Sequence, residues 1–313
     1  RGLGDVYKRQ EEGEAVQELV LGAKVFQSNS SLEVINLPAR LASFNTNIFT
    51  SCSNLVAVNI VGTYENAVYS STDGVLMNAD KTEIIFFPRA KGSTYTTPVG
   101  VQTIGESAFE SCKELTEITI TGQVTLIEKN AFKSCTGLEK INFLGSAEDN
   151  ALTIKSSAFY GCNNANLTEL TLPANLLVME KNAFGNTSKL TKVNVYSVSQ
   201  DINFEYAAFG TTTTSVSTAP TYYVKDLFIA KEVTIFDITG VFGSKVLANV
   251  TVEEGNDNYT SIEGVLFDKD VTKIVYYPTQ REGNYVLPET VVEIGDKVFE
   301  SKTGITSITC LLY

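Results

Sequence analysis

Histidine and tryptophan are absent from the 313 residues, and methionine occurs only twice. The missing histidine is the most restrictive absence. It excludes a Ser-His-Asp or Cys-His nucleophile, histidine-ligated zinc and any imidazole general base. Positive charge is also scarce: 24 Lys+Arg against 36 Asp+Glu leave a formal charge of −12. Such a surface opposes nucleic acid, whose phosphates need clustered Lys and Arg. No apolar run approaches the ~18 residues of a membrane-spanning helix, and no signal peptide is visible. The five cysteines contain no C-x-x-C pair, which argues against zinc and redox chemistry. Neither a phosphate-binding glycine loop nor G-x-G-x-x-G occurs. The acidic runs at residues 253–257 and 268–270 do not match the calcium-loop pattern with its glycine and terminal glutamate. No catalytic residue, cofactor or metal ligand is therefore expected, and the chain reads as non-catalytic.

What the chain does contain is a repeat. Residues 108–120 (AFESCKELTEITI) return as AFKSCTGLEKINF at 131–143, AFYGCNNANLTELTL from 158 and AFGNTSKLTKVNV from 183. Earlier copies begin at Val25 and Ile48, and more diverged ones at Ala208, Val241 and Val298. The marker aromatics are Phe26, Phe49, Phe109, Phe132, Phe159, Phe184, Phe209, Phe242 and Phe299, spaced mostly by 23–27 residues, a leucine-rich-repeat period. Within a unit, Phe109, Cys112 and Leu115 share one face of a short helical turn. The pattern then switches to period two, with Leu115, Ile118 and Ile120 inward and Glu117 and Thr119 outward, a half-buried strand. One such coil cannot bury its apolar edge alone, so coils must stack and each strand must extend a parallel sheet. The expectation is a right-handed solenoid, with nine strands starting near Leu32, Leu55, Leu115, Leu138, Leu167, Leu190, Val224, Leu247 and Ile305 in one sheet.

Two wider gaps hold a second kind of unit. Residues 69–109 and 259–299 align without a gap, with 15 identities in 41 positions. Both carry G-V-L, an aromatic pair before proline (Phe86-Phe87-Pro88; Tyr276-Tyr277-Pro278) and the ending Ile-Gly-x-x-x-Phe. A turn at residues 78–80 and 268–270 separates two apolar runs, so each unit reads as a hairpin elaborating a coil. In the aromatic pairs one ring should point inward and the other outward.

The pattern A-F-x-x-C-x-x-L-x-x-I-x-[IL], together with the hairpin variant ending Y-P…Y-x-[LV]-P, resembles the BspA-like leucine-rich repeat family. The resemblance implies an α/β repeat: a β-rich leucine-rich-repeat solenoid with short helical turns and two hairpin-elaborated units, at about residues 62–105 and 253–295. It also implies a bacterial cell-surface or secreted protein whose repeats bind proteins of a host or neighbouring cell. Alternatives are a passive surface spacer and an accessory repeat of a larger secreted hydrolase. Residues 1–10 (RGLGDVYKRQ) and 310–313 resemble translated sequencing-adapter read-through. A single solenoid over residues 11–309, taken from inside a longer protein and monomeric, is accordingly expected, with a protein as its partner and no membrane span.

Candidate residues divide into core and surface. Cys52, Cys112, Cys135 and Cys162 share one repeat position, filled elsewhere by Asn29 and Thr187. That is the small-polar column of a leucine-rich repeat, which bonds the adjacent loop backbone. Its side-by-side Cβ vectors suit no disulfide. Phe109, Cys112, Phe132, Cys135, Phe159, Cys162 and Phe184 are expected in the core. On the outward strand positions, charges alternate from Glu117 through Lys140, Glu169 and Lys192 to Asp226, a ladder that satisfies itself across neighbouring strands. The next outward row is neutral and polar apart from Phe228, too few rings for a glycan platform. Exposed aromatics therefore concentrate in the hairpin units. Tyr69, Phe87, Tyr95, Tyr259, Tyr277 and Tyr285, with Phe228, are the candidate partner-binding residues.

Overall fold

The strand segments foreseen from alternation form the outer wall of a β-solenoid that contains almost no helix. The structure, a computed structural model, describes residues 17–197, 202–212, 220–234, 238–242, 246–300 and 302–310. Residues 1–10, residues 311–313 and most of the Thr/Ser stretch after Phe209 lie outside the described residues. Among the described residues, helix is confined to a 3-10 turn, Thr46–Phe49, and a five-residue α-helix, Ile238–Phe242. No helix there is long and apolar enough to cross a membrane.

The main wall is a ladder of short parallel strands. In order these are Val34–Pro38, Ala57–Val61, Thr94–Thr96, Glu117–Ile120, Lys140–Phe143, Glu169–Leu172, Lys192–Val195, Asp226–Ile229, Asn249–Val252, Gly283–Val286 and Ile305–Thr309. Most begin two residues after the marker leucine. Leu55, Leu115, Leu138, Leu167, Leu190 and Leu247 sit just ahead of the strands, at most 1% exposed. The single continuous sheet expected from the sequence is instead four hydrogen-bonded blocks of two, three, four and two strands. One break falls between Lys140–Phe143 and Glu169–Leu172. There the coil carries two extra residues between Cys162 and Leu167, and the Asn164 amide reaches back to the Gly137 carbonyl at 3.0 Å. The other two breaks coincide with the hairpin units. A second wall, opposite in the coil, holds an eight-stranded sheet running from Tyr69–Thr72 to Asn203–Phe204 and a four-stranded sheet from Tyr259–Ile262 to Glu293–Ile294.

Between the walls runs a spine of stacked rings. Phe109 lies 4.6 Å from Phe132, Phe132 4.8 Å from Phe159 and Phe159 4.7 Å from Phe184, centroid to centroid. The stack continues to Phe209 at 5.4 Å and Phe242 at 4.9 Å. Each of these phenylalanines is at most 1% exposed. Their backbones repeat one link. The Phe109 N–H donates to the Ala131 carbonyl, Phe132 to Ala158, Phe159 to Ala183 and Phe184 to Ala208, at 2.7–3.0 Å. This link explains why the A-F-x-x-C segment is a turn and not a helix. Its N–H groups are spent on the neighbouring coil, leaving i→i+3 bonds such as Cys112 N–H to Phe109 C=O at 3.1 Å. The thiols add a second link: Cys135 donates to the Phe109 carbonyl at 2.9 Å and Cys162 to the Phe132 carbonyl at 3.1 Å. Burial pushes the Cys135 thiol well above its ordinary pKa, so it remains an inert donor.

Each wide unit turns twice. Tyr69–Thr72 pairs antiparallel with Val75–Asn78 through Asp73-Gly74, and Val75–Asn78 pairs antiparallel with Glu83–Phe86. Asp73 and Gly74 both have positive φ, 50° and 75°, as a two-residue I′ turn requires. The tip packs on the preceding ladder strand: Val58 N–H donates to the Gly74 carbonyl at 2.8 Å. A Cβ on Gly74 would stand 2.6 Å from the Ala57 Cβ, so glycine is required there. The tip of the second unit, Glu263-Gly264, repeats the arrangement against Val250 at 3.1 Å. The remainder of each unit is an ordinary coil with its own ladder strand, Thr94–Thr96 or Gly283–Val286.

The aromatic pairs depart from the inward-outward expectation, because both rings point inward. Phe86 packs tilted on Phe49 at 4.7 Å and Phe87 stacks on Phe109 at 4.6 Å, 5% and 1% exposed. Phe87 follows the last residue of its strand, at the corner before Pro88, so strand alternation no longer governs it. Each pair splices two stretches of core. Phe86 belongs to the N-terminal cluster and Phe87 to the central one; Tyr276 belongs to the central cluster and Tyr277 to the C-terminal one.

Two outcomes follow from a ring-stacked spine. Phe132→Ala is expected to lose about 3–5 kcal/mol in denaturant melts, since neighbouring coils hold the cavity walls apart. Phe87→Ser is expected to lower Tm as a core lesion, and a variant melting like the parent would place Phe87 at the surface.

Candidate interaction face

The outward side of the ladder is where strand alternation leaves side chains free of the core. Register sets them in rows: Glu117 beside Lys140, then Glu169 beside Lys192 beside Asp226 beside Asn249. The charges form pairs, not a continuous chain. Lys140 Nζ lies 3.4 Å from Glu117 Oε1, and Lys192 Nζ lies 2.9 Å from Glu169 Oε1. Each pair is finished by an asparagine from the second row. Asn142 Nδ2 donates to Glu117 Oε1 at 2.6 Å and to Thr119 Oγ1 at 3.1 Å. Asn194 does the same to Glu169 at 2.7 Å and Thr171 at 3.0 Å. The Lys192 ammonium and then the Asn194 amide hold the Glu169 carboxyl below its ordinary pKa, and the Glu169 carboxylate raises that of Lys192.

Beyond the second pair the face opens into a groove of about 490 Å³, lined by Lys192, Asn194, Tyr196, Asp226, Phe228, Asn249 and Thr251 among others. Tyr196 and Phe228 form a tilted aromatic pair with centroids 5.6 Å apart, and Tyr196 is 40% exposed. A smaller hollow of about 360 Å³ lies over the break in the sheet, beside Asn142, Phe143 and Leu144.

The hairpin aromatics are not gathered on this face, and the structure corrects the expectation that they are exposed. Phe87 and Tyr277 are each 1% exposed and Tyr285 is 9% exposed. Tyr95 and Tyr285 occupy inward ladder positions opposite Ile118 and Ile308. Burial pushes both phenols up to about 12. Tyr69 and Tyr259 are half-buried, Tyr69 packing on Phe44 at 5.1 Å and Tyr259 on the central core. Tyr95 packs against Phe87 and Tyr285 against Tyr277, each pair with centroids 4.8 Å apart. Phe228 alone of the seven faces the groove. Tyr196 was not foreseen from the sequence. Its signal was its place two residues beyond Asn194 on the same outward row, just past the end of the strand.

Among the described residues no three His, Cys, Asp or Glu side chains gather as a metal site. The described cysteines are free, the four in the column buried and Cys310 exposed.

A parallel ladder, an interior thiol column and a stacked-ring spine define a leucine-rich-repeat solenoid. The model of the BspA type leucine rich repeat region, in six copies, matches residues 19–91 and 80–215, more than half of the chain, and the chain belongs to that family. Among solved structures it is similar to the pneumococcal vaccine antigen PcpA, with 23% identity and a TM-score of 0.52 over 80% of this chain. A leucine-rich repeat protein from Bacteroides ovatus ATCC 8483 shares 20% identity over 92% of this chain and 69% of its own, with a TM-score of 0.46. A leucine rich cell surface protein from Faecalibacterium prausnitzii A2-165 shares 20% over 80% of this chain and 73% of its own, with a TM-score of 0.42. The chain spans 64% of the length of the pneumococcal antigen, and at these identities the likeness is one of fold. No curated protein matches the sequence.

The Glu169–Lys192 pair makes the face pH-sensitive at both limits. Glu169, with its folded pKa lowered, stabilises the fold above the ordinary carboxylate pKa, and that contribution is lost as pH falls through the lowered value. Lys192, with its folded pKa raised, contributes below the ordinary lysine value and loses that contribution as pH rises through the raised one. Thermal melts across pH are expected to show both losses in the parent. In Glu169→Gln the acid-side loss should shrink; an unchanged acid limb would show that the pair contributes nothing.

Proposed function

We propose that the chain is a non-catalytic protein-interaction module of a cell-surface or secreted bacterial protein, adhesin-like in binding proteins of a host or neighbouring cell. The observation that carries this reading is the Tyr196–Phe228 pair, presented in an open groove on the ladder face. Paired aromatics in a depression are favoured anchors for a protein partner. Elsewhere on the face the carboxylates Glu117 and Glu169 are already bound by lysine and asparagine neighbours, so they offer a ligand little. Membership of a surface-type repeat family supports the location, as does likeness to a protein described as a pneumococcal vaccine antigen. We take residues 11–309 as one solenoid acting as a monomer.

The test is binding of the full chain to immobilised host matrix proteins by surface plasmon resonance. Replacing Tyr196 and Phe228 together by Ser is expected to weaken binding about tenfold or more, with circular dichroism unchanged. Tyr259→Ser in the second hairpin should alter affinity far less. Binding that survives the double replacement places the contact elsewhere. A parent that binds nothing favours a surface spacer.

A further inference from the structure

The groove's chemistry specifies more than an apolar contact. Asp226 and Phe228 stand two residues apart on one strand, hence on the same face, and both line the groove with Tyr196. Lys192, the cation nearest Asp226 in the ladder, is held by Glu169 at 2.9 Å. On its other side Asp226 faces neutral Asn249. Among the described residues the Asp226 carboxylate makes no direct ion-pair contact and accepts no hydrogen bond; it acts on Lys192 only as a minor, longer-range contribution beside Glu169. The groove therefore holds two carboxylates, Glu169 and Asp226, against one ammonium, in a chain of net charge −12.

A ring and a carboxylate hold a cation elsewhere in the chain. In the second hairpin unit the Arg281 guanidinium lies 5.5 Å over the Tyr285 ring, donates to the Glu263 carbonyl at 2.8 Å and pairs with the Glu263 carboxylate. Ring and carboxylate together hold a cation there by charge pairing and by attraction to the ring's negative face. Asp226, Phe228 and Tyr196 likewise bring a carboxylate and rings into one groove, whose ammonium, Lys192, is taken by Glu169.

We infer that the groove takes a lysine or arginine side chain from an extended, aliphatic segment of a basic protein partner, its charged head on Asp226 and its stem across Phe228 and Tyr196. The inference rests on the ladder face being the binding face. Asn249 and Thr251 supply polar groups at the rim, and Lys192 disfavours a second cation towards Glu169.

The probes are fluorescent 12-residue peptides of alternating Arg and Leu, and of alternating Glu and Leu, titrated into the full chain at physiological salt. The Arg peptide is expected to bind and the Glu peptide not. Asp226→Asn should weaken the Arg peptide about tenfold, and Asp226→Lys should transfer preference to the Glu peptide. Asp270→Asn removes the same charge from a hairpin turn and should have little effect. An equal loss in both Asp→Asn variants would reduce the attraction to net charge and overturn the inference, as would Arg-peptide binding indifferent to Asp226. In the matrix-protein assay, binding lost with Tyr196 and Phe228 but kept in Asp226→Asn leaves the interaction-module reading standing while this inference falls. Binding kept in all of these variants removes both.

Discussion

Everything in this solenoid depends on a coincidence of two lengths. Neighbouring β-strands lie about 4.8 Å apart, and the central rings stack at 4.6–4.8 Å. One phenylalanine per coil can therefore remain in face-to-face contact with the next while the ladder strands stay hydrogen-bonded. The Phe N–H to Ala carbonyl bond locks the spacing from the backbone side. The residue before the phenylalanine is buried as well: Ala108, Ala131, Ala158, Ala183 and Ala208 in the central coils, and Ile48 and Val241 in outer ones, are each exposed to 1% or less.

Where the spacing cannot be kept, the fold is spliced. Each double-turned hairpin occupies the position that a ladder strand would take, and its tip lies on the strand before it. The aromatic pair before proline then serves both sides, one ring completing the preceding core and the next ring starting the following one. Most hairpin rings are thus committed to packing. On the ladder blocks between the splices most charged groups are paired with neighbours in register. The exception lies at the strand Asp226–Ile229, where alternation of charge runs out against a neutral asparagine and an aromatic replaces the polar second row.

The repeat, its period, the core phenylalanines and the cysteine column were legible because each unit restates the same constraint. An inward residue returns every coil, and the position is visible as a column. The turns at residues 78–80 and 268–270 were legible, whereas the first turn of each unit, at Asp73-Gly74 and Glu263-Gly264, was missed; Asp-Gly is a dipeptide suited to positive φ and Glu-Gly is not an obvious one. Alternation was the wrong rule for Phe86-Phe87, because the chain leaves the strand at the corner before Pro88. A period-two pattern says nothing about residues beyond a strand's end, and Tyr196 escaped notice for the same reason.

The sequence by itself determined that this chain stacks coils, which residues fill them and that the four cysteines of the repeat column face inward, since these follow from local spacing repeated many times. Only the tertiary structure decided which aromatics are exposed, where the ladder breaks and which charges are left without a partner. Those outcomes depend on contacts between coils some 20–40 residues apart, and on how two extra residues or a hairpin tip shift one coil against the next. Charge pairing is a property of register, and register between blocks is set by packing that no single repeat contains.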